Sequence, residues 1–193
     1  MTDPDILKTV MPVIDVFEKL GVAYYIGGSV ASAAYGVARA TMDVDCVSNL
    51  TQEKVKSFVA LLQNGYYVDA EMIKEAIERG SSFNLIHLET MLKVDVFIVK
   101  NRPYDREVLH RRKKDTLDDD KSVSEIYLAS AEDIILNKLE WFERGGRISE
   151  KQWNDIQGVL KVQKGNLDLK YLKYWASELK LADLLTKAIA SAR

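Results

Sequence analysis

Apolar positions along the chain switch repeatedly between helical and strand periods. From residue 4 to residue 20, Ile6, Val10, Val13, Phe17 and Leu20 recur three or four apart and stop at Gly21, which predicts an amphipathic helix. Val22-Ala23-Tyr24-Tyr25-Ile26 is apolar, β-branched and aromatic, the composition of a strand. Gly27-Gly28 then breaks the pattern, and Ser29 is suited to cap a short helix over Val30 to Tyr35. Thr51 opens a helix through Leu62, stopped by Asn64-Gly65. Tyr66 to Asp69 reads as a short strand, and Ala70 to Arg79 as a helix ended by Gly80. Ser82 to Leu88 and Leu92 to Val99 predict a hairpin with Glu89-Thr90 at its turn. Residues 104–113 read as helix and Val123 to Leu128 as a last strand.

Beyond that strand the period is helical throughout. Ser130-Ala131-Glu132-Asp133 resembles a capping box, and capping is preferred over catalysis as the account of Asp133. Gly145-Gly146 breaks the chain, and helices follow over about 149–163, 168–179 and 181–191. Trp153, Ile156 and Leu160, then Leu172, Trp175 and Leu179, mark apolar faces that read as core rather than as a platform for stacked bases. The organisation expected is a core over residues 1–129 and a helical segment over 130–193 packed on it.

Composition narrows the class. A chain of 193 residues, 47% of them hydrophobic, suits one packed domain or one with a helical appendage. No apolar run is long enough to cross a membrane, and Met1 to Asp5 is acidic, so no secretory leader is expected. The single cysteine, Cys46, excludes an internal disulfide and suits a reduced, cytoplasmic setting. A net charge of −2 argues against broad non-specific binding to nucleic acid. His110 to Lys114 forms a basic run with Asp118 to Asp120 soon after; a solvated helix end and loop is preferred over a groove for an RNA end. Neither His87 nor His110 has metal-ligand spacing.

The chemistry concentrates between residues 27 and 45. A Gly27-Gly28-Ser29 turn between a strand and a helix offers free backbone N–H groups to a phosphate. Side chains alternate along a strand, so Asp43 and Asp45 share one face while Met42, Val44 and Cys46 take the other. Paired carboxylates repel and call for a cation, and magnesium prefers oxygen ligands completed by substrate phosphates. Asp95 interrupts the most apolar strand in the chain, where a carboxylate is costly unless paired or bound to metal. If that strand neighbours the Asp43–Asp45 strand, three carboxylates meet, and two metal ions can clamp an in-line displacement at phosphorus. Asp95 then serves as metal ligand, general base, or both. Arg39 has the planar donor fork that suits phosphate, with a surface acid as its alternative partner. Thr41 caps a turn or orients Asp43.

Gly27-Gly28-Ser29, Arg39-x-Thr41-x-Asp43-x-Asp45 and a later Asp95 together resemble the DNA polymerase β-like nucleotidyltransferase superfamily. The spelling of the central block is similar to that of the AbiEii-type toxin nucleotidyltransferases and their small relatives. Ala131 to Leu139 is also similar to theirs, and the resemblance spans roughly residues 20–160. It implies an α/β (α+β) fold: a small mixed sheet with helices packed on it, then a helical segment. It implies that Gly28 and Ser29 hold a triphosphate, that Asp43, Asp45 and Asp95 bind two Mg2+ ions, and that Lys138 touches phosphates. The activity implied is transfer of a nucleotidyl group from an NTP to a hydroxyl on RNA, protein or a small molecule. If the chain is a toxin, an antitoxin protein is its implied partner. Gln152 stands where those toxins usually carry an aspartate, while Asp155 is retained. A non-catalytic nucleotide sensor or protein-binding module on the same fold is the alternative.

Overall fold

The computed structural model describes residues 4–38, 40–115 and 125–192. In chain order the elements are α1 (Pro4–Lys19), β1 (Tyr24–Ile26), α2 (Gly28–Tyr35), β2 (Asp43–Ser48), α3 (Val55–Leu62), β3 (Tyr66–Tyr67), α4 (Ala70–Arg79), β4 (Ser82–His87), β5 (Lys93–Ile98), α5 (Pro103–Arg111), β6 (Lys113–Asp115), β7 (Ile126–Leu128), α6 (Ala131–Arg144), α7 (Glu150–Val162), α8 (Leu169–Glu178) and α9 (Ala182–Ser191). The chain divides into two compact units, Met1–Gly27 with Thr41–Leu128, and Gly28–Ala40 with Ala129–Arg193. Among the described residues, no helix is long and apolar enough to cross a membrane.

The first unit carries a mixed sheet of seven strands in the order β3-β4-β5-β2-β1-β7-β6. β2 runs parallel to β5 and antiparallel to β1, while β4 and β5 form the expected antiparallel hairpin. Alternation sorts the side chains. Val44, Cys46 and Ser48 of β2, Val94, Val96 and Ile98 of β5, and Phe83, Leu85 and His87 of β4 are buried. The intervening residues are half-buried along β2 and β5. The helical stripe of α1 supplies Val10, Val13, Ile14 and Phe17 to the core. Phe17 stacks on Phe58 with centroids 5.2 Å apart and on Tyr24 at 5.8 Å, and Phe58 meets Phe83 edge-on at 6.1 Å. Burying each such ring contributes roughly 1.5–3 kcal/mol. Cys46 is the small core residue that its strand position predicts, and burial pushes its thiol well above the ordinary range.

α4 starts and stops where its sequence dictates: the Asp69 carboxylate accepts from the Met72 N–H at 2.9 Å, and Gly80 takes a left-handed φ of 57°. Three details differ from the sequence reading. A 3₁₀ turn over Gln52–Lys54 precedes α3, and Thr51 makes no side-chain capping bond there. α2 begins at Gly28, which puts Ser29 inside the helix, buried, rather than at its cap. The basic run does not stay helical to residue 113: α5 ends at Arg111 and Lys113–Asp115 pairs with β7. Lys-Lys-Asp has no apolar alternation, so this fully exposed edge strand left no pattern to read. Residues 123 and 124 of the expected last strand, and Asp118 to Asp120, lie outside the described residues.

The second unit is helical. Ser130 caps α6 by accepting from the Asp133 N–H, Ser149 caps α7 through the Gln152 N–H, and Asp168 caps α8 through Lys170 and Tyr171. The chain after α2 passes close to α7. A Cβ on Gly36 would lie 2.9 Å from both the Ser32 carbonyl oxygen and the Val159 nitrogen, so glycine sets how closely these backbones approach.

Candidate active site

The parallel register of β2 and β5 aligns Asp43 with Lys93 and Asp45 with Asp95. Because side chains two apart share a face, Asp43, Asp45, Lys93 and Asp95 all lie on the half-buried side, opposite Val44, Cys46, Val94 and Val96. The antiparallel register of β4 adds Asn84 beside Asp95. The three carboxylates picked out by the sequence therefore occupy one face of two adjacent strands. Like charges directly across a ladder are destabilising, and the structure offsets them with local partners.

Each partner is specific. The Thr41 hydroxyl donates to Asp43 Oδ1 at 2.7 Å, so Thr41 orients the first carboxylate. Lys93 Nζ lies 2.7 Å from Asp95 Oδ2, with the two side chains 43% and 20% exposed. Its hydrogen bond to Asp95, reinforced by the charges of Asp95, Asp43 and Asp45, holds the Lys93 ammonium above the ordinary lysine range against the opposing effect of burial. The Gly27 N–H donates to the Asp45 carbonyl at 2.9 Å, which ties the end of β1 to the strand that carries the acids.

The remaining sequence candidates fall elsewhere. Arg39 lies outside the described residues. Gly28 and Ser29 open α2 in the second unit, and Gly28 has a φ of 55°, a conformation that favours glycine. Among the described residues, a Cβ on Gly27 would meet only the Tyr25 ring, at 3.8 Å. Lys138 is buried in the second unit, where its Nζ donates to Asp155 Oδ2 at 2.7 Å and to Gln152 Oε1 at 3.2 Å. The segment that departs from the toxin pattern thus supplies both of these oxygens. Asp133 is fully buried, accepting from the hydroxyls of Ser130 and Tyr171, each at 2.7 Å. A groove of about 560 Å3 in the second unit is lined in part by Phe142, Arg147, Trp153 and Lys187 and contains none of the predicted site residues.

Lys93 and Asn84 join the face of the three acids without being among the sequence candidates. Lys93 was legible, since it stands two residues before Asp95 on the same strand. Asn84 needed the register of the hairpin, which periodicity alone does not fix.

Among the described residues, no three His, Cys, Asp or Glu side chains close into a metal cage as they stand. Magnesium seldom uses an all-protein cage; it takes one or two carboxylates and completes its shell with water and phosphate oxygens. Hard oxygen donors from Asp43, Asp45 and Asp95 on one open face fit that chemistry.

No protein-family model matches the sequence, and no curated protein matches it by sequence. Solved structures do match the fold. The antibiotic-resistance factor ANT(2'')-Ia, in complex with adenylyl-2''-tobramycin, superposes with a TM-score of 0.60 at 10% identity, covering 91% of this chain and 97% of its own. The lincosamide antibiotic adenylyltransferase LnuA, with lincomycin bound, gives 0.52 at 16% identity over 80% of this chain and 96% of its own. An antigenic nucleotidyltransferase-like protein from Paracoccidioides brasiliensis gives 0.53 at 17% identity over 97% and 93%. With its mixed sheet and the helices that accompany it, this chain has the nucleotidyltransferase fold.

Proposed function

We propose that this protein is a metal-dependent nucleotidyltransferase that moves a nucleotidyl group from an NTP to a hydroxyl acceptor. The observation that carries the reading is the shared face of Asp43, Asp45 and Asp95 on register-matched parallel strands. In this reading Asp43 and Asp45 hold Mg2+, with Thr41 fixing the carboxylate of Asp43. Asp95 contributes a ligand oxygen and takes the proton of the incoming hydroxyl. Bound Mg2+, two ions when the site is full, supplies charge stabilisation at the attacking and leaving oxygens. Gly28 and Ser29 offer backbone and hydroxyl donors to the triphosphate, and Arg39 adds positive charge for its phosphates; the Gly27 N–H is already given to the Asp45 carbonyl and the Lys138 ammonium to Asp155 and Gln152.

The acceptor divides the reading in two. Two of the fold neighbours are named with antibiotics, which favours a small polyhydroxylated molecule. The AbiEii-like spelling of the Arg39–Asp45 block favours RNA or protein, a toxin role and an antitoxin partner in the cytoplasm. The test is incubation with each α-labelled NTP and Mg2+ against three acceptor pools: aminoglycosides and lincosamides, total RNA, and cell lysate. Label in one pool, lost on chelation and in Asp45→Ala, supports the reading and names the acceptor class. Nucleotide binding without label in any pool favours a sensor on the same fold.

A further inference from the structure

Lys93 stands where an entering cation has to work. It faces Asp43 across the ladder, its ammonium is bonded to Asp95, and it shares a face with Asp45. Lys93 therefore supplies positive charge to a face that carries three carboxylates. We infer that Lys93 is an internal counter-ion that occupies Asp95 in the metal-free protein and competes with a divalent cation for it. This rests on the reading of Asp43, Asp45 and Asp95 as the metal-binding set.

Three observations carry the inference. The bond is direct, at 2.7 Å, so a cation that takes this Asp95 oxygen has to displace Lys93 from it. The lysine is 43% exposed on a flexible four-carbon stem, so it can leave without disturbing the core. Its position is fixed by alternation, two residues from Asp95, so its charge stays near the metal face even after the bond breaks. A cation held within a few ångströms of a second cation opposes it in any dielectric the site can offer. Lys93 thus stabilises the acids when they are bare and sets a threshold for metal entry. The anionic triphosphate, arriving with the metal, offers the displaced ammonium a new partner.

The test measures Mn2+ binding by isothermal titration, without nucleotide, to wild type, Lys93→Met and Lys93→Arg. Lys93→Met removes the charge and keeps most of the stem; it is expected to bind Mn2+ about tenfold more tightly. Lys93→Arg keeps the charge and is expected to stay within about twofold of wild type. Adding Asp45→Asn to Lys93→Met is expected to abolish the gain, which places the extra affinity on this face. Melting without metal gives a second readout: Lys93→Met is expected to melt lower than wild type and to recover more on adding Mn2+. Equal or weaker Mn2+ binding by Lys93→Met, with wild type binding normally, overturns the role of Lys93 and leaves the metal reading standing. Absence of binding by all three proteins overturns the metal reading and this inference with it.

Discussion

Asp45 and Asp95 are direct partners across the parallel β2–β5 ladder, two carboxylates at the same level of adjacent strands and on the same face. Such a pair is unfavourable in a sheet that serves only as scaffold. Local devices surround it: Thr41 on Asp43, Lys93 on Asp95, and the Gly27 N–H on the Asp45 carbonyl.

Replacing either strand acid separates chemistry from stability. If Asp43 and Asp45 hold the metal as proposed, Asp43→Asn and Asp45→Asn are expected to lower transfer from labelled NTP by more than about a hundredfold. Relief of like-charge repulsion is expected to leave their metal-free melting temperatures at or above that of wild type. Transfer kinetics with parallel melts check both halves.

Thr41→Val removes the hydroxyl that bonds Asp43 Oδ1 at 2.7 Å and, more weakly, the Asp43 carbonyl at 3.3 Å, while leaving the carboxylate itself in place. A hydrogen bond to a charged group is worth about 1.5–3 kcal/mol. Transfer is therefore expected to fall by about ten- to a hundredfold, and Thr41→Ser is expected to restore most of it.

Lys138 and Asp155 form an ion pair whose side chains are only 6% and 5% exposed. Lys138→Met alone breaks this buried pair and is expected to cost about 3–5 kcal/mol in urea denaturation. The double variant Lys138→Met, Asp155→Leu is expected to recover most of that stability. If Lys138 also serves the phosphates, transfer stays low in the recovered protein; full activity there assigns Lys138 to folding alone.

The two glycines of the turn are not equivalent. Gly28 has a φ of 55°, where a Cβ costs about 1–2 kcal/mol, so Gly28→Ala is expected to lower stability by that amount. Gly27→Ala meets only ordinary contact with the Tyr25 ring and is expected to be close to neutral. Denaturant midpoints of the two variants decide it.

Stability is expected to fall on the alkaline side. Burial holds the Cys46 thiol and the Tyr24 and Tyr66 phenols protonated to higher pH than usual, with Asp45, Glu18 and Asp15 adding to the effect respectively. The unfolded chain begins to release these protons near pH 9, while the folded protein retains them. The folded state then binds more protons, so stability is full below about pH 8 and is lost as pH rises past about 9. Urea titrations from pH 7 to pH 11 check the slope, and Cys46→Ala is expected to flatten its first part.

Much of this was readable in the residues. The α1 stripe, the α4 boundaries, the β4–β5 hairpin and the helices after Gly145-Gly146 follow from apolar period and caps, which are local signals. So does the shared face of Asp43 and Asp45. That Asp95 lies beside Asp45 was conditional on strand adjacency, and no local signal sets which strands pair. β6 was hidden because an all-polar edge strand has no apolar face to advertise. Lys138 illustrates the same boundary. Its place in the helical stripe was visible, but its partners Asp155 and Gln152 are 17 and 14 residues away and meet it only through packing.

Anomalous diffraction from crystals grown with Mn2+ and a non-hydrolysable NTP locates the metal without inference. A Mn2+ peak is expected within about 2.2 Å of carboxylate oxygens from both Asp43 and Asp45, with Lys93 turned away from Asp95. A nucleotide bound with no metal on these acids, or metal bound only at other residues, would contradict it.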